Sequence, residues 1–162
     1  MIIHVKNKNT LIIDDFKLKC CIGENGLNNN KKEGDFSTPR GVFKLKKLYF
    51  RKERVGIPKC KIDKKVIKRN MAWCDDPNNK KYNEEIKTNN KKLKENLYRD
   101  DYKYDYLISI NYNKQKTPNK GSAIFIHLTK NYKPTAGCVA LRRKDFEILL
   151  KLIKKKTKIR IG

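Results

Sequence analysis

The chain has 162 residues, a formal charge of +24, 38% hydrophobic residues and 36% charged residues. That length holds one domain with a real core and is short for two, and eight Tyr, six Phe and one Trp exclude a wholly disordered chain. No apolar run approaches the roughly 18–20 residues of a membrane span, and the opening MIIHVKNKNTLIIDD shows no basic, apolar and small-residue succession of an export signal.

In chain order, MIIHVK and TLIID read as two short strands joined by an Asn/Lys turn. KLKCCIGENGL continues as a strand into a Gly- and Asn-rich loop. The next loop tightens through Gly34, Pro39 and Gly41 into an alternating strand with Val42, Phe43, Leu45, Leu48 and Tyr49 at its apolar positions. Residues 51–105 are rich in Lys, Asn and Asp, are weakly periodic, and read as an excursion acting as a lid or cleft wall. YDYLISINYN and GSAIFIHL return to strand character, and GCVAL is a short strand after a loop. KDFEILLKLIKK is the one strong helix: Phe146, Leu149, Leu150 and Ile153 fall at i, i+3, i+4 and i+7. TKIRIG closes as a strand. The expected fold is therefore mainly β with one C-terminal helix, a sandwich or open barrel in a single domain over 1–162, with 51–105 inserted.

The charge has two readings. A polyanion partner is one. The other is compositional: lysine greatly outnumbers arginine, asparagine and isoleucine are abundant, and the lysines are spread along the whole length. A sequence reader of nucleic acid favours arginine on one face, so the compositional reading is preferred and no specific nucleic-acid partner is expected.

Of the five cysteines (Cys20, Cys21, Cys60, Cys74 and Cys138) none forms a CxxC pair, and two histidines are too few for a zinc set, so no metal is expected. Structural burial suits most of these thiols. Cys138 differs in context. His127 ends an apolar strand eleven residues earlier, the intervening loop is long enough to return, and Gly137 permits close backbone approach. A thiol becomes a nucleophile when a base sits beside it; His127 would be that base, and the backbone N–H groups of Gly137 and Cys138 the oxyanion donors. The other histidine, His4, reads as a half-exposed strand residue. On the residues alone, a buried Cys and a satisfied His fit equally well.

IFIHLTKNYKPTAGCVALRRKDF resembles the catalytic signature of the YkuD-type L,D-transpeptidases, with His127, Thr135, Gly137, Cys138 and Val139 at the matching positions. An earlier block, GENGLNNNKKEGDFSTPRGVFKL, is similar to the family's Lys–x–Gly–Asp–x–x–Thr–Pro–x–Gly–x–Phe segment through Lys32, Gly34, Asp35, Thr38, Pro39, Gly41 and Phe43. Trp-Cys-Asp-Asp at 73–76 resembles the insert of one branch. Ala136 stands where many members have a second His, Ala140 where many have Arg or Asn, and Leu128 where Gly or Ser is common, as in the family's shorter-signature branch.

The resemblance implies a YkuD-like β fold and a wall-associated or periplasmic enzyme acting on peptidoglycan stem peptides without a cofactor; a monomer is the separate expectation. Cys138 would attack the bond between diaminopimelate and D-Ala, and the thioester would pass to an amine. A backbone carbonyl near His127 would hold its second ring nitrogen. Transfer to water, as in an L,D-carboxypeptidase or amidase, is the close alternative. A non-catalytic basic domain binding wall polymers or nucleic acid is the alternative from another class.

For the remaining candidates two readings stand side by side. Arg142 and Arg143 bind a stem carboxylate or form a solvated helix start. Trp73, Asp75, Asp76 and Tyr82 line a cleft, or Trp73 pins the excursion to the core. Thr135 contacts substrate, orients its loop, or is a plain turn residue. Lys31 and Lys32 read as a solvated loop.

If the charge is compositional, binding to duplex DNA should be sequence-independent and fall steeply between 50 and 200 mM salt, by roughly 10³-fold or more if several phosphates are contacted. Filter binding across a salt series checks this, and a sequence-preferring complex that survives physiological salt would refute it.

Overall fold

The computed structural model describes residues 1–90 and 94–162. Strands β1 (Ile2–Lys6) and β2 (Thr10–Ile13) form an antiparallel hairpin, and β3 (Phe16–Cys21) pairs back on β2. The expected Asn/Lys turn is there, with Asn7 and Lys8 in the left-handed region. Two two-residue strands, β4 (Leu27–Asn28) and β5 (Thr38–Pro39), tie off the Gly- and Asn-rich loop. The long strand β6 (Gly41–Phe50) leads to the short helix α1 (Lys52–Val55). Strands β7 (Asp63–Val66), β8 (Met71–Cys74), β9 (Glu85–Lys87) and β10 (Lys94–Asn96) follow. Then come β11 (Tyr106–Ile110), β12 (Phe125–Leu128), β13 (Val139–Leu141), helix α2 (Arg143–Leu152) and β14 (Lys158–Ile161).

Nine strands form one sheet in the order β11-β12-β13-β3-β2-β1-β14-β6-β7, and β6 also pairs with β11. The ten-residue length of β6 makes this possible: its first half pairs with β14 and its second half with β11, so the sheet returns on itself as a barrel. The fold is mainly β with one substantial helix near the C-terminus, as the periodicities imply. Alternation sets the interior. In β1, Ile3 and Val5 are buried while His4 between them is half-exposed, and Ile159 and Ile161 of the parallel partner β14 are buried beside them. The stripe Phe146, Leu149, Leu150 and Ile153 joins this core, and the Phe146 ring stacks on Tyr106 at 5.4 Å.

The excursion does more than insert. β7 runs parallel to β6 and extends the main sheet, which DKKV, with no apolar alternation, does not announce. The remainder forms a separate three-stranded sheet in the order β10-β8-β9. A second apolar cluster lies against this small sheet. It contains Tyr49, Ile67, Met71, Leu97, Tyr104, Leu107, Phe125 and Cys138. The two clusters split β12 and the segment 138–141 by face: Ile126, Leu128, Val139 and Leu141 belong to the main core, Phe125 and Cys138 to the second. Cys138 thus sits on the outer face of the barrel wall, under the excursion.

Trp73 ties the two layers together. Its ring meets Phe125 edge-on at 5.1 Å and Tyr49 at 6.2 Å, and its indole N–H donates to Asn83 Oδ1 at 2.9 Å. Trp73→Ala should therefore cost about 2–4 kcal/mol of unfolding free energy, measurable by urea denaturation; a loss no larger than that of a surface substitution would contradict this role.

Candidate active site

Parallel pairing of β12 with β13 places Ile126 opposite Val139 and His127 opposite Ala140. Cys138 precedes Val139, so its side chain emerges on the same face as those of Ala140, Phe125 and His127. Ala140 offers a single methyl on that face and leaves space beside the imidazole. Cys138 and His127 both line a cavity of about 320 Å³.

The imidazole is oriented by the backbone. His127 Nδ1 lies 2.8 Å from the Leu128 carbonyl oxygen. A carbonyl only accepts, so Nδ1 carries the proton and Nε2 is the lone-pair nitrogen. The Tyr104 ring packs edge-on against the imidazole at 5.1 Å, and the Tyr104 hydroxyl donates to Glu95 at 2.7 Å. Burial pushes the His127 pKa down from 6.5 to about 4, with Lys103 and Arg99 acting in the same direction and the Leu128 carbonyl opposing. Burial pushes the Cys138 thiol up from 9.0 to about 12, against the Phe125 N–H. At neutral pH the resting pair is therefore thiol and neutral imidazole.

The thiol is held by backbone. Its sulfur accepts from the Phe125 N–H and donates to the Ala123 carbonyl, each at 3.3 Å. No hydrogen bond joins it to His127 in this resting state, an arrangement common where the substrate completes the geometry.

Gly137 has φ +145°, and a Cβ there would lie 2.8 Å from the Ser37 carbonyl oxygen, so this turn requires glycine. Its N–H donates to Thr135 Oγ1 at 3.1 Å, while the Thr135 hydroxyl donates to the Cys138 carbonyl at 2.6 Å. This corrects the expectation that the Gly137 N–H is an oxyanion donor: it is spent on the turn. The Cys138 N–H has no hydrogen-bond partner among the described residues. Thr135 lines the cavity and, through these two bonds, orients the loop that carries Cys138.

Four other expected contacts lie elsewhere. Arg142 pairs with Asp145 at 2.9 Å and Arg143 with Asp105 at 2.7 Å; both stand at the start of α2 and neither lines the cavity. Trp73 lines a different cleft of about 620 Å³, among lysines. Tyr82 is buried, donates to Glu33 and accepts from the Gly121 N–H at 3.0 Å, fastening the excursion to two loops. Of the acidic pair 75–76, only Asp75 reaches the cavity.

The sequence missed other parts of the wall. Glu95, Arg99, Lys103 and Tyr104 come from the aperiodic excursion and gave no signal. Lys31 did carry one, an aspartate four residues on. The structure buries Lys31 and pairs it with Asp35 at 2.7 Å instead of leaving it in a solvated loop. Asp35 also accepts from the Lys32 and Ser37 N–H groups, the Ser37 hydroxyl and Asn28. Burial alone would raise its pKa, but these donors and Lys31 hold it well below the usual carboxylate range. Among the described residues no cluster of His, Cys, Asp or Glu could hold a metal ion, and no helix is long and apolar enough to cross a membrane.

The profile of the YkuD family, the L,D-transpeptidase catalytic domain, matches residues 2–161. The chain belongs to the YkuD family. No curated protein matches it in sequence. Among solved structures, the helical cell shape determining protein Pgp2 of Campylobacter jejuni aligns with a TM-score of 0.53 at 18% identity, over 99% of this chain and 46% of that one. Bd1075 of Bdellovibrio bacteriovorus aligns with a TM-score of 0.51 at 16% identity, over 99% of this chain and 47% of that one. This YkuD chain spans about half the length of those structures, and the likeness is one of fold.

Two results should follow from the pair. His127→Ala should slow acylation of Cys138 at pH 7 by about 10²–10⁴-fold. The residual rate should climb about tenfold per pH unit well past 9, because the buried thiol ionises only near 12; a plateau near pH 8.5 would mean an exposed thiol. Stability should respond in the other direction. The folded-state pKa of His127 is depressed, so its contribution is present above 6.5 and lost as pH falls through about 4. The loss is at most about 3 kcal/mol, and the acid limb of a denaturation series should be shallower in His127→Ala.

Proposed function

We propose that the chain catalyses cysteine-dependent acyl transfer on peptidoglycan stem peptides, with Cys138 as nucleophile and His127 as base. The observation that carries this is the Nδ1–H bond to the Leu128 carbonyl. It leaves Nε2 unprotonated and free to accept, in a ring that lines the same cavity as the thiol, and the Cys138 N–H is without a partner among the described residues. Membership of the YkuD family supplies the substrate class.

In this reading the stem's carbonyl between diaminopimelate and D-Ala enters the cavity. The thiol proton moves to His127 Nε2 as sulfur bonds to the carbonyl carbon. The oxyanion is met by the Cys138 N–H. The C–N bond breaks, Nε2 returns its proton to the leaving amine, and a thioester remains. An acceptor amine then attacks the thioester carbonyl and gives its proton to Nε2, and the thiol is restored with that proton. Starting from a neutral pair suits this sequence: no ion pair must be held in a buried site between turnovers. The same steps with water as acceptor would trim the stem to a tripeptide. A place at the cell wall follows from the substrate, and the scattered positive charge favours attraction to an anionic wall.

Incubating the protein with a disaccharide tetrapeptide and weighing the products separates the cases. A cross-linked dimer with loss of D-Ala is expected, and Cys138→Ala should be folded and inert while Cys20→Ala and Cys74→Ala retain turnover. A tripeptide alone would make the chain a carboxypeptidase; no product, or activity surviving in Cys138→Ala, would end the reading.

A further inference from the structure

Phe36 is out of place by every rule of packing. It stands at φ +55°, a left-handed backbone that a bulky side chain pays strain to adopt. Its side chain belongs to neither hydrophobic cluster, and the residue is 47% exposed. It nevertheless lines the Cys138 cavity, half-exposed to solvent.

The loop leaves it no choice of position. Its neighbour Asp35 is held by five donors, and its own carbonyl accepts the Asn25 N–H at 2.9 Å. Gly23 lies directly beneath, where a Cβ would come within 2.5 Å of the Phe36 carbonyl oxygen. The loop's next residue, Ser37, abuts Gly137. The backbone that carries this strained, half-exposed ring is thus held in place beside the turn that bears Cys138, and the ring takes no part in either core cluster. Strain of this kind persists where a ligand uses it.

We propose that Phe36 is a platform for a sugar ring at the rim of the active site. The inference rests on the peptidoglycan reading above and extends it from the stem peptide to the glycan that carries the stem. The charges of both signs in the cavity, Glu33, Asp75 and Glu95 with Lys31, Arg99 and Lys103, suit a peptide bearing amines and carboxylates. A half-exposed ring in the same lining suits a neutral group with an apolar face and a polar edge. A pyranose has both: its axial C–H face lies on the ring while its hydroxyls stay in water.

The test measures binding, on protein carrying Cys138→Ala so that no turnover occurs, with Cys138→Ser as the second background should the first fold poorly. The ligands are the disaccharide tetrapeptide and the same tetrapeptide without sugar. Phe36→Gly and Phe36→Asn both accept a left-handed backbone and lack the ring; Phe36→Tyr keeps it. The two ringless variants should bind the disaccharide tetrapeptide roughly tenfold more weakly, bind the sugar-free peptide as before, and melt no lower than the parent. Phe36→Tyr should bind both like the parent. Equal weakening for both ligands, unchanged binding of the disaccharide, no binding of it by the parent, or a lower melting temperature in both ringless variants would each overturn the proposal. Because the readout needs no thioester, Phe36-dependent sugar binding alongside absent turnover would sink only the reaction, and turnover without it would sink only the platform.

Discussion

Everything at the site depends on one register: the parallel pairing of β12 with β13, with His127 opposite Ala140. A shift of one residue would turn Cys138 into the barrel's core and present Val139 to the cavity. The register is held from both sides. Ile126, Leu128, Val139 and Leu141 have the main core as their only apolar refuge, and β3 pairs with the far edge of β13 through Cys20 and Cys21. Helix α2 follows β13 directly and anchors it through Phe146, Leu149 and Leu150. Burial of ordinary aliphatic side chains on one face of the wall therefore positions Cys138 and His127 on the other.

Two backbone constraints complete the pair. The first is the Nδ1–Leu128 hydrogen bond, which selects the tautomer without needing a carboxylate partner. The second is the turn at 135–138, where Thr135 bonds to both its third neighbour and Gly137. That turn leans on the 31–37 loop: the Thr38 hydroxyl donates to the Gly137 carbonyl at 2.8 Å, and Gly137 has no room for a side chain against Ser37. The two sequence blocks, some hundred residues apart, are therefore one structure. The early block is the abutment on which the turn bearing Cys138 rests.

This explains what could be read in the sequence and what could not. That His127 and Cys138 share one cavity was legible through the resemblance of their segment to the family signature; on the residues alone a buried Cys and a satisfied His fitted equally well. Helix α2 was legible because its four apolar positions leave one way to bury them. Trp73 was legible as the residue that pins the excursion, and it packs on Phe125 and Tyr49 while lining a separate cleft; Tyr82 was not, because its hydrogen bonds to Glu33 and Gly121 depend on how the excursion folds back. Arg142 and Arg143 stand at the helix start, paired with Asp145 and with Asp105 just before β11, and neither lines the cavity. Lys31 was not legible because lysine is seldom buried, and the loop that buries it forms around Asp35, whose hydrogen bonds span ten positions of chain.

The charge distribution carries the last step. Over the whole chain basic residues outnumber acidic ones heavily, 41 against 17, yet the cavity wall holds three of each. A compositional drift toward lysine can run freely where water solvates each ammonium group. It cannot run in a confined space, where an unpaired charge costs far more than at the surface. Lys31 is admitted with Asp35, and Arg99 with Asp101 and Glu95. A further lysine at that wall would also depress the His127 pKa beyond the lowering that Lys103 and Arg99 already produce. The surface records the composition of the chain, and the cavity records the chemistry that a neutral thiol and a neutral imidazole require of their surroundings.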